Sequence, residues 1–204
     1  MRLPDVLTLS RLGLAAVLIA LLTLEFPYSK TLALVVFLIA SLTDYLDGML
    51  ARRVYGESTF GKLMDPLTDK VLVCAAFVAF VELKLVPAWI VVLIISREFL
   101  VTGLRLLAAN EGQIVSAGFW GKHKTVSQLL TIIVLLAGLS FREDFHHHFG
   151  PRFTDAQLAA YNNILNITSV SLISIVAFIT VFSGAVYFYQ HRNLLLAADK
   201  PRGP

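Results

Sequence analysis

The sequence predicts an all-α fold, a polytopic membrane protein with six transmembrane helices. Three observations predict it. Of the 204 residues, 57% are hydrophobic and 15% charged, against roughly 25% charged in soluble domains. The charges gather in short clusters between long apolar runs. Six of those runs approach the roughly 20 residues that a helix needs to cross a bilayer.

The runs cover about 6–24, 31–50, 67–86, 88–108, 125–141 and 165–189. The first is longer than the apolar stretch of a signal peptide and lacks a small-residue cleavage site at its end, so it is read as a retained helix. The second carries two acids near its end, and the third opens on two more. The fourth follows Pro87, the fifth is the shortest, and the sixth is closed by aromatics. Links at 25–30 and around Leu85 and Pro87 are short. Those at 51–66 and 109–124 are longer, polar and rich in glycine and basic residues. The link at 142–163 holds His146, His147 and His148. Consecutive histidines are poorly spaced to share a metal from one helix face, so they read as a solvated loop. No repeat or low-complexity segment divides the chain, which gives a single membrane domain over 1–204. Trp89 and Trp120, near helix ends, fit an interfacial aromatic belt. The single cysteine, Cys74, rules out an intramolecular disulfide and reads as a packing residue.

Charge sets the orientation. Of the 17 lysines and arginines, only Lys30, Lys84, Arg142 and Arg152 fall on one side of this layout. The other thirteen fall on the side that holds both termini, which the positive-inside rule makes cytoplasmic. With so apolar a chain, the net charge of +3 points to anionic lipid headgroups or anionic substrates rather than nucleic acid.

The acids are the anomaly. Asp44 and Asp47 lie within the second run, where each charge costs roughly 2.5–3.5 kcal/mol on insertion scales. Their i, i+3 spacing puts both on one helix face. Asp65 precedes Pro66, a pattern expected of an N-cap followed by proline at the first helical position, and Asp69 follows one turn later. The link between the two runs lets the four carboxylates converge at one membrane depth. An all-oxygen site of this kind suits Mg²⁺ or Mn²⁺, and a pair of ions is the usual arrangement for displacement at phosphorus. Counter-ions such as Arg52, Arg53 or Lys70 could instead neutralise Asp44 and Asp47. A divalent-cation transporter is another reading, although it would spread acids over several helices near the midplane. An inactive assembly subunit is a third, although it would be expected to lose some of the aspartates.

The residues around the acids carry a resemblance. Asp44, Asp47, Gly48, Ala51, Arg52, Gly61, Asp65 and Asp69 match all eight fixed positions of the signature of the CDP-alcohol phosphatidyltransferase family. The resemblance implies that Asp44, Asp47, Asp65 and Asp69 are metal ligands, and that Asp69 is also the general base. It implies a CDP-lipid site at Thr8, Gly48, Ala51, Arg52, Ser58 and Gly61. Gly48 and Ala51 would let the ligand approach the helix backbone, although close helix packing is another use for small residues. Arg52 can donate to phosphate in a fork. The stretch from Pro4 to Arg11 resembles a second family element. Asp5 stands where many relatives have asparagine, and it is left out of the site.

Downstream, Ser96-Arg97-Glu98, Gly103-Leu104-Arg105 and Gly121-Lys122-His123-Lys124-Thr125 resemble the bacterial branch of the family whose acceptor is sn-glycerol 3-phosphate. The charges suit a dianionic acceptor. Arg97 and Arg105, slightly over two turns apart, share a helix face, and Lys122 and Lys124 open the next helix on the same side. Arg11, Arg97, Arg105, Lys122 and Lys124 are therefore expected at the acceptor phosphate, with Glu98 orienting Arg97 or Arg105. Anchoring to anionic lipid is the plainer use of such residues. The resemblance implies transfer of a phosphatidyl group from CDP-diacylglycerol to glycerol 3-phosphate, with release of CMP. Inositol phosphate or phosphatidylglycerol are alternative acceptors. It also implies a multi-pass homodimer of the cell (inner) membrane, with its active site facing the cytoplasm.

Overall fold

In the computed structural model, residues 3–54, 59–110, 119–149 and 154–190 are described. Of these, 3–9, 44–54, 59–69, 110, 119–120, 122, 145–149 and 155 are described by their backbone alone. The described residues form six helices and no strand: α1 Leu3–Thr23, α2 Ser29–Val54, α3 Thr59–Glu82, α4 Ala88–Asn110, α5 Phe119–Phe149 and α6 Asp155–Gln190.

Among consecutive helices, α1 packs on α2, α3 on α4 and α5 on α6. Packing then joins α1 to α2 and α3, α2 to α5, α3 to α4 and α5, and α6 to both α4 and α5. All six helices feed the centre. Leu18 and Leu22 come from α1, Phe37 from α2, Phe77 and Phe80 from α3, and Ile94 from α4. α5 adds Ile132, Leu135, Leu136 and Leu139, and α6 adds Ile173 and Val176. Large apolar groups also cover the outside: Phe178 is 73% exposed, Trp89 68% and Ile164 63%. A surface of this kind belongs in lipid rather than water. Among the described residues, His123–Asp144 and Ala156–Gln190 are long and apolar enough to cross a membrane, and Ser10–Thr23 and Ser29–Thr43 are shorter apolar stretches. Together these features mark an all-helical membrane protein.

Local chemistry explains several helix ends. α3 closes in a turn where Leu85 N–H donates to the Phe80 carbonyl at 2.9 Å and Lys84 N–H to Val81 at 2.9 Å. Lys84 takes φ 58° there, in the left-handed position that usually holds glycine at a helix C-terminus. The following Leu85 is buried, and Pro87 then precedes α4. At the start of α6, Thr154 N–H donates to Gln157 Oε1 at 3.1 Å, one half of a capping box. That cap starts α6 at Asp155, ten residues before the apolar run expected at 165.

Two further expectations are corrected. Asp65 does not cap α3. The helix begins at Thr59, so Asp65 and Pro66 lie in its second turn. Proline in a helix interior costs about 3 kcal/mol, and the turns on either side persist despite it. His146, His147 and His148 are not in a loop, because α5 runs to Phe149.

Candidate active site

The signature divides between two consecutive helices. Asp44, Asp47, Gly48, Ala51 and Arg52 stand on the last three turns of α2. Gly61, Asp65 and Asp69 stand on the first three turns of α3. Four residues, 55–58, join them, and Ser58 lies outside the described residues. Thr8 is on α1. The four aspartates and Thr8, Gly48, Ala51, Arg52, Gly61 and Lys122 are described by their backbone alone. The donor set itself is hard: four carboxylates on two consecutive helices are of the chemistry that an oxygen-seeking divalent cation takes.

Side-chain geometry begins one residue beyond Asp69. Lys70 Nζ donates to Glu98 Oε2 at 2.8 Å. The other oxygen, Glu98 Oε1, accepts from Lys124 Nζ and from Arg97 Nη1 at 3.3 Å. One carboxylate thus draws cations from α3, α4 and α5. The group is well buried: side-chain exposure is 6% for Glu98, 4% for Lys124, 12% for Arg97 and 25% for Lys70. Removing one partner from such a buried set is strongly destabilising, because it leaves charge without compensation. Among the described residues, three cations face one carboxylate, which leaves two positive charges in excess there. An anion arriving from outside would satisfy that surplus.

α6 completes the second side of this site. Arg97 Nη2 donates to Ser183 Oγ at 2.9 Å. Eight residues further along α4, the Arg105 guanidinium lies 5.3 Å from the centre of the Tyr187 ring, a cation–π contact. The two arginines therefore meet α6 in ascending order, so α4 and α6 run parallel.

The structure brings Arg97 and Lys124 together through Glu98. Of the two arginines that Glu98 was expected to orient, it bonds Arg97, while Arg105 rests on Tyr187. Arg11 is half-buried on α1. Lys70, weighed as a counter-ion for Asp44 and Asp47, is bonded to Glu98. Lys70, Ser183 and Tyr187 were absent from the expected acceptor site. Their signal is faint in sequence, because a serine and a tyrosine near the end of an apolar run look like ordinary interfacial residues.

A sequence model described as CDP-alcohol phosphatidyltransferase matches residues 1–182, a span that includes both signature helices and the Glu98 cluster. The chain is 40% identical over 146 residues to the CDP-diacylglycerol–glycerol-3-phosphate 3-phosphatidyltransferase of Bacillus subtilis, covering 66% of this chain and 76% of that one. It is 32% identical over 200 residues to the protein of the same name from Haemophilus influenzae, covering 95% of each. It is 30% identical over 188 residues to that of Rickettsia bellii, covering 91% of this chain and 93% of the relative. With its signature carried across α2 and α3 and the match running through nearly all six helices, the chain belongs to the CDP-alcohol phosphatidyltransferase family.

Proposed function

We propose that this protein transfers the phosphatidyl group of CDP-diacylglycerol to sn-glycerol 3-phosphate, giving phosphatidylglycerophosphate and CMP. The observation that carries the acceptor is the Glu98 cluster: buried cations in excess of carboxylate, bonded to the residue next to Asp69. A dianionic phosphate is the complement of that surplus. The names of the relatives point the same way.

Asp44, Asp47, Asp65 and Asp69 would hold divalent metal, Mg²⁺ or Mn²⁺, as two ions. When bound, the metal supplies charge neutralisation on the diphosphate and on the departing CMP. The rest is done by the chain. Thr8, Gly48, Ala51, Arg52, Ser58 and Gly61 hold the CDP part. Arg11, Arg97, Arg105, Lys122 and Lys124 hold the acceptor phosphate, with Lys124 acting from within the Glu98 cluster. Asp69 takes the proton of the acceptor's 1-hydroxyl. The resulting alkoxide oxygen attacks the phosphorus that carries diacylglycerol, and the bond to CMP breaks. The same reading makes residues 1–204 one domain of six membrane spans. Both termini and the active site face the cytoplasm, and the protein works as a homodimer in the cell (inner) membrane.

The test uses purified protein with CDP-diacylglycerol, Mg²⁺ and glycerol 3-phosphate, measuring CMP release and the mass of the lipid product. Phosphatidylglycerophosphate is the expected product. No CMP above an Asp69→Asn control, with any anionic acceptor, overturns the enzyme reading. Product with inositol phosphate alone keeps the chemistry and replaces the acceptor.

A further inference from the structure

Arg97 is held on two sides, and the second side lies just past the 1–182 stretch that the family model matches. Ser183 Oγ accepts from Arg97 Nη2 at 2.9 Å. The same hydroxyl is positioned to donate to the Thr180 carbonyl at 3.0 Å. Its proton is thus directed along its own helix, and a lone pair is left for the arginine. The next residue, Gly184, lies under the arginine stem. A Cβ at Gly184 would stand 3.0 Å from Arg97 Cγ and 3.3 Å from Nε. Glycine is a poor helix former, so its use here is explained by the room it leaves for Arg97. Glu98 bonds Nη1 at 3.3 Å, and Arg97 Nε has no hydrogen-bond partner among the described residues. The guanidinium is therefore bonded at both Nη atoms, and its stem is confined by backbone.

We propose that Ser183 and Gly184 are positioning residues. They set the plane of the Arg97 guanidinium and so the fit of the acceptor's phosphate. The inference rests on the function proposed above and deepens it. Glu98 and Ser183 use one donor at each Nη, and the donors that remain keep a fixed direction. A planar cation held this way forms hydrogen bonds to phosphate with less ordering than a free side chain. Neither α6 residue need touch substrate to act.

The test measures KM for glycerol 3-phosphate and for CDP-diacylglycerol, kcat and melting temperature. The proteins compared are the unsubstituted chain and its Ser183→Ala, Ser183→Thr and Gly184→Ala variants. Ser183→Ala is expected to raise KM for glycerol 3-phosphate about tenfold, the scale of one hydrogen bond to a charged group. KM for CDP-diacylglycerol should stay within about twofold. Ser183→Thr, which keeps the hydroxyl, should restore most of the loss. Gly184→Ala should raise the same KM, with a modest fall in melting temperature from the crowding of the arginine stem. Equal shifts in both KM values overturn the proposal, as does a fall in melting temperature alone or no effect at all. An unsubstituted chain that releases no CMP with glycerol 3-phosphate overturns the proposed function and this inference together. An active chain with unaffected variants overturns only this one.

Discussion

Two polar clusters lie toward opposite ends of the helix bundle, and they are built differently. Around Glu98, one carboxylate meets Lys70, Arg97 and Lys124. At the other end, the polar groups are spent on helix termini. Lys30 Nζ donates to the Leu22 carbonyl at 2.7 Å and to that of Leu24 at 3.3 Å, closing α1. Glu143 Oε2 accepts from Lys30 N–H at 2.7 Å, and Glu143 Oε1 from Ser29 Oγ at 3.1 Å, opening α2. Asp144 accepts from Thr31 Oγ1 at 3.0 Å. Negative groups at a helix N-terminus and a positive group at a C-terminus are the favourable arrangement with the helix dipole. The second cluster sets one cation, Lys30, against two carboxylates, Glu143 and Asp144, and all three are bonded to groups at helix ends. The first is left with positive charge that no described residue neutralises. Similar residue types therefore serve stability at one end and ligand attraction at the other, and the balance of charge tells them apart.

The comparison can be broken in several ways. The largest effect is expected beside the surplus end. Asp69→Asn should lower kcat by about 10²- to 10⁴-fold, the usual contribution of general acid–base catalysis or more if metal is also lost, while melting temperature holds. Chelating divalent metal should likewise abolish CMP release and restore it on adding Mg²⁺. Next comes Glu98→Gln, which leaves three cations around a neutral amide. Breaking a buried pair costs about 3–5 kcal/mol, so both melting temperature and activity should fall, read by thermal unfolding in detergent and by CMP release. Glu143→Ala removes an acceptor at the start of α2 and should cost about 0.5–2 kcal/mol, the range for a helix cap. KM for glycerol 3-phosphate should not move. If it does, the two ends are not independent and the contrast fails. The smallest effect belongs to Tyr187→Leu, which removes a contact worth about 0.5–2 kcal/mol. It should raise KM for the acceptor a few-fold and lower melting temperature by a few degrees at most.

Much of this was legible in the chain alone. Apolar length located all six described helices, because a helix that faces lipid or packed neighbours needs a long apolar run. The expected boundaries missed where a local rule competed with its neighbours. The Asp65–Pro66 pair reads as a helix start, yet α3 begins at Thr59, because one missing hydrogen bond is outweighed by the turns around it. The end of α5 looked like a loop because its histidines and acids are polar. Polar residues remain helical when, like Glu143 and Asp144, they bond to the start of another helix. The early start of α6 was written in Thr154 and Gln157, a capping signal that apolar length does not register.

The sequence by itself determined the family and the chemistry to be looked for. The spacing of Asp44, Asp47, Gly48, Ala51, Arg52, Gly61, Asp65 and Asp69 lies within two consecutive helices, and spacing along a helix is a local property. Tertiary structure decided which cations share Glu98, that α6 holds Arg97 through Ser183, and that Lys30 closes α1 rather than facing lipid. Glu98 with Lys124, Glu98 with Lys70 and Arg97 with Ser183 join residues 26, 28 and 86 positions apart along the chain. No periodicity links positions so distant; they meet only when packed helices bring buried charges within reach and the cost of leaving a charge alone selects its partner.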